Sequence, residues 1–105
     1  MQDHTLIRQG LPPLKFTGGE IGQGSVGGVT VAIYRTKAGR YVAKIERRHR
    51  EEIVYRNAAH YATPADIINW LKEGEETLGK ASQDAIEQAC ANDEVFAHDW
   101  VEVVE

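Results

Sequence analysis

Alternating hydrophobic and polar positions mark two segments in the middle of the chain. In residues 29–35, Val29, Val31 and Ile33 share one face, while the intervening positions form the other. Residues 40–46 alternate in the same way. A period of two with β-branched and aromatic side chains is typical of a strand with one buried face. Both segments are therefore predicted to be β-strands.

A short turn and a third apolar stretch extend this pattern. Gly39 stands at the third position of a three-residue turn, where a positive φ is favoured, so the two strands are predicted to form a hairpin. Residues 52–60 have the composition of a third strand, although two adjacent alanines weaken its pattern. The three segments together predict an antiparallel meander.

Helix signals follow the last of these strands. Thr63 suits an N-cap and Pro64 the first helical position, and Gly74 is placed to end the helix. Apolar residues at helical spacing form one side of this helix: Ile67, Trp70 and Leu71.

A second helix is predicted from near Ser82 to around Asn92 and Asp93. Its apolar stripe consists of Ala85, Ile86, Ala89 and Cys90. The terminal segment Val101–Glu105 is short and β-branched, which fits either an added strand at the sheet edge or a tail held by Trp100.

The first quarter of the chain carries signals against regular structure. Pro12 and Pro13 forbid helix, so residues 1–15 are expected to form a loosely held N-terminal arm. Residues 18–28 contain six glycines in eleven positions, which predicts a flexible loop or a pair of turns.

The predicted fold is α+β: a three-stranded antiparallel β-meander, with or without a short added C-terminal strand, packed against two α-helices. The predicted core draws on both layers. Its members are Val31, Ile33, Tyr41, Ala43, Ile45, Ile53, Tyr55, Ile67, Trp70, Leu71, Ile86, Ala89, Phe96 and Trp100.

Length and composition fit one folded domain over residues 1–105. Hydrophobic residues make up 42% of the chain and charged residues 27%, a balance that favours a packed core over disorder. No apolar run approaches the roughly 20 residues that cross a bilayer, and the N-terminus lacks a signal-peptide pattern, so a cytoplasmic location is expected. Cys90, the single cysteine, is interpreted as a core thiol.

Charge is divided unevenly along the chain, whose net charge is −4. From Pro64 onward there are eleven acidic and two basic residues. Between residues 35 and 50 there are seven basic residues and one acid, Glu46. These basic residues are the predicted binding positions: Arg35, Lys37, Arg40, Lys44, Arg47, Arg48 and Arg50.

The glycine-rich segment and the strand that carries Lys44 resemble the N-lobe signature of protein kinases, in which a G-x-G-x-x-G-x-V loop covers the ATP phosphates. The resemblance implies that Gly22, Gly24 and Gly27 form a phosphate loop and that Lys44 pairs with phosphates. It covers about a quarter of the chain, and no H-R-D-x-x-x-x-N or D-F-G motif follows. We therefore expect no kinase activity, and more generally no enzyme, and we predict no cofactor.

Binding is the expected role, and three alternatives remain open. A basic ribbon and an acidic helical face suit a protein partner or a homo-oligomer, in an accessory or inhibitor protein without catalytic activity. The hairpin from Arg35 to Arg50, with Tyr34 and Tyr41 between its cations, also suits single-stranded nucleic acid. An ATP-binding fragment is the third alternative. The four histidines are too scattered to predict a metal site, and no membrane partner is expected.

Overall fold

The computed structural model describes residues 1–72 and 78–101, which form five strands and three helices. The strands are β1 (Gln2–Leu6), β2 (Leu14–Val26), β3 (Val29–Thr36), β4 (Tyr41–His49) and β5 (Glu52–Tyr61). The helices are α1 (Pro64–Lys72), α2 (Lys80–Asn92) and α3 (Glu94–Asp99). The α+β class with an antiparallel sheet is confirmed.

The sheet is larger than predicted. Its five strands lie in sequence order, β1-β2-β3-β4-β5, and every neighbouring pair is antiparallel. The three central strands are those that the alternating pattern predicts. The prediction of three or four strands was wrong because strands β1 and β2 occupy the segments expected to be an arm and a loop.

Strands β1 and β2 form despite their glycines and the nearby prolines. The two prolines lie in the connection between the strands, where they interrupt no ladder. Residues 2–6 pair with residues 14–18, from Gln2↔Gly18 to Leu6↔Leu14, so this part of the expected arm is a strand. Strand β2 continues past a register shift between Glu20 and Gly22 to pair with β3.

The helix predictions are largely correct. Helix α1 begins at Pro64, and the Thr63 hydroxyl accepts the backbone N–H of Asp66 at 3.3 Å. Helix α2 begins at Lys80, two residues before the predicted start. Helix α3 was not predicted; the Asp93 carboxylate caps it by accepting the N–H of Phe96 at 3.0 Å. The predicted stop at Gly74, and residues 102–105 of the terminal segment, lie outside the described residues.

The two faces of the sheet bury different clusters. The larger cluster lies between the helices and one sheet face, and its centre includes Ile33, Tyr41 and Phe96. On the opposite face Ala32, Tyr34 and Val42 are buried beneath side chains of β1 and β2, namely Leu6, Leu14 and Phe16.

The predicted core is mostly confirmed. Tyr55 and Trp70 are partly buried and pack against the larger cluster. Ile53 is partly buried and does not belong to it, and Trp100 was wrongly placed in the core because its side chain is 41% exposed at the end of α3. Within the described residues, no helix is long and apolar enough to span a membrane.

Candidate binding surfaces

The glycines of strand β2 serve strand–helix packing. Gly22 and Gly24 are buried beneath α2, and a Cβ atom on either would overlap helix backbone: the carbonyl oxygen of Ala85 for Gly22 and that of Ala81 for Gly24. Small residues on both elements thus allow the two backbones to approach closely. Helix α2 thus covers two of the three glycines that the kinase resemblance assigns to phosphates, whereas Gly27 is exposed between β2 and β3.

Lys44 lies on the other face of the sheet. It pairs with Ala32, a member of the cluster opposite the helices, whereas Gly24 pairs with Val31, which faces them. Directly paired residues of antiparallel strands point to the same face. The lysine and the glycines therefore cannot converge on one nucleotide, so this geometry does not support the ATP-binding alternative.

Arg35 is held by a buried carboxylate. Its guanidinium lies 3.0 Å from Asp93 Oδ2, and the Tyr41 hydroxyl donates to Asp93 Oδ1 at 3.1 Å. Burial, followed by the hydrogen bond to Asp93, raises the pKa of Tyr41 to about 12. Arg35 therefore joins β3 to the start of α3, which leaves its cationic head less available to a partner than an unpaired side chain would be.

The other predicted binding residues fall into two groups at opposite ends of strand β4. Lys37 and Arg40 flank the β3–β4 turn, whereas Arg47, Arg48 and Arg50 lie at or next to the β4–β5 turn. Strand β4 has nine residues, which separates the two ends by roughly 30 Å at about 3.3 Å per residue. The basic residues of the hairpin from Arg35 to Arg50 therefore do not form one continuous surface, and these two groups lie on separate surfaces.

The group at the β4–β5 turn is exposed. The Arg47 guanidinium lies over the Tyr55 ring, 5.4 Å from its centroid, and Arg48 lies 3.7 Å from the Glu46 carboxylate. Arg50 adopts a positive φ of 52° in the turn. Tyr34 and Tyr41, expected to stack on bases, are only 4% and 1% exposed. The hairpin therefore offers cations without the two predicted stacking rings.

A cleft of about 660 Å³ lies at the end of the sheet that carries the β3–β4 turn. We call it the basic cleft. The residues that line it include three apolar and three cationic ones, and none of the described lining residues has a carboxylate. The apolar residues are Leu14, Phe16 and Val42, and the cationic ones are Lys15, Lys37 and Arg40.

The rim of this cleft is anchored to the sheet. The backbone N–H of Lys37 donates to the carbonyl of Thr17 at 2.8 Å, which ties the β3–β4 turn to strand β2. Gly39 adopts the predicted positive φ, at 81°, and Arg40 Nη2 lies 3.4 Å from His60 Nδ1. Among the described residues, the side chains of Lys15 and Lys37 have no ion-pair partner.

Sequence reasoning found two residues of the basic cleft and missed the others. Lys37 and Arg40 were predicted binding residues, whereas Leu14, Lys15 and Phe16 were assigned to the arm or left without a role. The spacing of Leu14 and Phe16 fits one face of a strand. Their proximity to the β3–β4 turn depends on the pairing of β2 with β3, which no local pattern reveals.

The histidines and Cys90 are the remaining candidate chemical groups. Among the described residues, no group of three or more His, Cys, Asp or Glu side chains is arranged to hold a metal ion. Cys90 packs against the larger core cluster, and burial, with a smaller contribution from Glu87, raises the pKa of its thiol. This environment disfavours the thiolate, the nucleophilic form.

Comparison of this chain with protein-family models, with curated proteins and with solved structures finds no match.

Proposed function

We propose that this chain is a small accessory or inhibitor protein without catalytic activity that acts in the cytoplasm by binding another protein. The basic cleft is the proposed contact surface. The observation that carries the proposal is that one cleft combines an apolar floor with three cationic residues and, in the described part of the chain, no lining carboxylate. An acidic region of a partner that also presents an apolar side chain would match both features.

The two parts of the cleft contribute differently to binding. Leu14 and Phe16 are half-buried, so a partner side chain that covers them gains burial of apolar surface. Lys15 and Lys37, whose ammonium groups lack ion partners among the described residues, accelerate the encounter with an acidic surface and disfavour basic partners. The Thr17–Lys37 hydrogen bond fixes one rim position before binding, which reduces the ordering cost.

The opposite end of β4 provides a matched control. Lys37→Glu/Arg40→Glu and Arg47→Glu/Arg50→Glu make the same change in net charge, one at the basic cleft and one at the β4–β5 turn. A partner is first identified by affinity purification at low and high salt, and its dissociation constant is then measured by isothermal titration calorimetry. We expect the cleft variant to weaken binding by at least about tenfold, because it replaces two attractive charges by repulsive ones. The turn variant should change it by less than about threefold.

The second candidate function, nucleic-acid binding by the hairpin, is favoured by the exposed arginines at the β4–β5 turn. The same two variants distinguish the candidates when a labelled single-stranded oligonucleotide replaces the protein partner. Salt-sensitive binding that the turn variant abolishes and the cleft variant keeps would favour nucleic acid and overturn our proposal. Equal loss of protein-partner binding in both variants would also overturn it, because nonspecific charge would then explain the association.

A further inference from the structure

The N-terminus of helix α2 leaves its first three backbone N–H groups without hydrogen-bond partners in the described chain. Gly79 is the N-cap residue, and it has no side chain that could accept from them. The intrahelical ladder begins at Gln83, whose N–H donates to the carbonyl of Gly79 at 3.0 Å. The amides of Lys80, Ala81 and Ser82 therefore point out of the helix end, where the helix dipole is positive and the first turn has no acidic residue.

A pocket of about 170 Å³ lies at this end of the helix, and we call it the α2 pocket. It is bounded by the first turn of α2, the end of α1 and neighbouring residues of the sheet. None of its described lining residues has a carboxylate. The lining includes an apolar wall formed by Val29, Ile45 and Leu71, and three cationic residues, Arg47, Lys72 and Lys80.

A buried serine opens into the α2 pocket. Ser82 lines the pocket and is only 5% exposed, yet its hydroxyl makes no hydrogen bond to the described chain. A buried hydroxyl without a partner is unfavourable. No side-chain oxygen or nitrogen of the described residues is both fully buried and unpartnered, so the Ser82 oxygen is accessible from the pocket. A ligand in the pocket would provide the partner that this hydroxyl lacks.

The two lysines of the pocket differ in their surroundings. Lys80 Nζ lies 2.8 Å from the Asp84 carboxylate, which neutralises part of its charge. Lys72, the last residue of α1, has no ion-pair partner among the described residues. The pocket thus brings together one unpaired ammonium group, three backbone N–H groups and one hydroxyl, all of which can donate hydrogen bonds. Such a combination suits an anion with several oxygen atoms.

We propose that the α2 pocket binds the phosphate group of a small phosphate monoester. Its oxygens accept hydrogen bonds from the three amides and the Ser82 hydroxyl, and Lys72 balances part of its charge. A carboxylate has only two oxygens for these donors. The apolar wall contacts the carbon atoms of the ester, which free phosphate lacks. At about 30 Å³ per water molecule the pocket has the volume of about six waters, which limits the ester to a few carbon atoms.

Titration of the ¹⁵N-labelled full chain, followed by two-dimensional NMR, tests this site with two probes, glycerol 3-phosphate and inorganic phosphate. The titrations are made at about pH 7.5, where the monoester carries close to two negative charges, and at constant ionic strength. The amide signals of Lys80, Ala81 and Ser82 should shift and saturate. We expect a dissociation constant of about 1 mM for the ester, because three glutamates in residues 73–77 oppose binding of an anion. Inorganic phosphate should bind at least about threefold more weakly.

Ser82→Ala removes the hydroxyl and keeps a small side chain at a helical position. It should weaken binding of glycerol 3-phosphate by at least about fivefold, because one buried donor is lost. Ser25→Ala is the matched control: the Ser25 hydroxyl is exposed and lies 3.1 Å from that of Thr30, outside the α2 pocket. The control should leave the dissociation constant unchanged. Unchanged affinity in Ser82→Ala would contradict the assigned role of its hydroxyl.

Lys72→Gln tests the charge of the pocket. It should weaken binding of glycerol 3-phosphate by at least about threefold, whereas Lys37→Gln, which makes the same change in net charge at the basic cleft, should change it by less than about 1.5-fold. Equal losses in the two variants would overturn the site, because net charge alone would then explain the binding.

Three results of the wild-type titration would also overturn this inference: no saturable shift with either probe, shifts confined to residues outside the α2 pocket, or equal affinities for the two probes. These readouts need no variant, so a folding defect cannot affect them. The inference does not depend on the proposed protein partner, because the basic cleft lies at the other end of β4. Its charge-reversal variants should bind glycerol 3-phosphate normally, so loss of partner binding and loss of phosphate binding are separate outcomes.

Discussion

The two faces of the sheet are covered by different elements. On one face, helix α2 approaches so closely that Gly22 and Gly24 have no room for a Cβ atom, and the cluster beneath the helices holds most of the buried apolar side chains. On the other face, the strands themselves cover Ala32, Tyr34 and Val42, because β1 and the first half of β2 lie over them. Helix α2 packs directly on strand β2, whereas the opposite face leaves the basic cleft open at its end.

Because of this difference, substitutions on the helix face should affect mainly stability, and substitutions at the cleft should affect mainly binding. Gly22 and Gly24 leave no space for added atoms beside the backbone of α2, so substitutions there should act mainly on folding. The smaller cluster continues into the half-buried side chains Leu14 and Phe16, which also line the basic cleft. Substitutions at that edge should affect binding while the helix-covered core keeps the chain folded.

The largest expected effect comes from adding one methyl group to the helix face. Gly24→Ala would overlap the carbonyl of Ala81 and lie too close to Asp84, so helix α2 must move as a unit. We expect a loss of about 3 kcal/mol or more in the free energy of unfolding, measured by urea denaturation followed by circular dichroism.

Gly19→Ala is the matched control for this substitution. A Cβ atom at Gly19 meets nothing within 4 Å, and the residue lies in the same strand. We expect a change of less than about 1 kcal/mol, with an increase in stability allowed because alanine has lower backbone entropy in the unfolded chain. Equal losses for the two variants would show that glycine composition, and not contact with α2, determines the effect.

The sequence predicts the elements of this molecule better than their arrangement. Alternation identifies β3 and β4, and Thr63 with Pro64 identifies the start of α1, because these signals are local. Strand β2 was not predicted because glycine normally disfavours strands. Glycine is favoured here because the backbone of Ala81 and Ala85, about 60 residues away in the chain, lies too close for a Cβ atom. Only part of the basic cleft was predicted for the same reason: Lys37 and Arg40 are local to one turn, but Leu14, Lys15 and Phe16 come from strand β2.

A smaller, pH-dependent effect is expected on the helix face at Tyr41. Its pKa is about 12 in the folded protein and about 10 when unfolded. Below pH 10 the phenol is protonated in both states, so its stabilising contribution is fully present. Between about pH 10 and pH 12 the unfolded chain loses the proton first, and stability should fall by roughly 1 kcal/mol per pH unit.

Urea denaturation at intervals from pH 8 to pH 11.5 measures this slope, and Tyr41→Phe isolates the contribution of Tyr41. The variant should be less stable at neutral pH, because Asp93 loses a hydrogen-bond donor, yet its stability should depend less on pH above 10. Identical slopes for the two proteins would mean that other tyrosines and lysines cause the alkaline loss.

A smaller effect on folding than that of Gly24→Ala is expected at Phe16, on the face opposite the helices. Its ring stacks on His4, with centroids 4.9 Å apart, and meets the edge of Tyr34 at 5.3 Å. Because the side chain is only half-buried, Phe16→Ala should lower the free energy of unfolding by about 1 to 2 kcal/mol, less than the same substitution at a fully buried phenylalanine.

The same substitution removes part of the cleft floor and should weaken binding of an acidic protein partner by about tenfold or more. If Phe16→Ala destabilised the fold as strongly as Gly24→Ala, the two faces would not divide stability and binding between them. If it left partner binding unchanged, the apolar floor would have no part in recognition, and the cations of the rim would have to account for it alone.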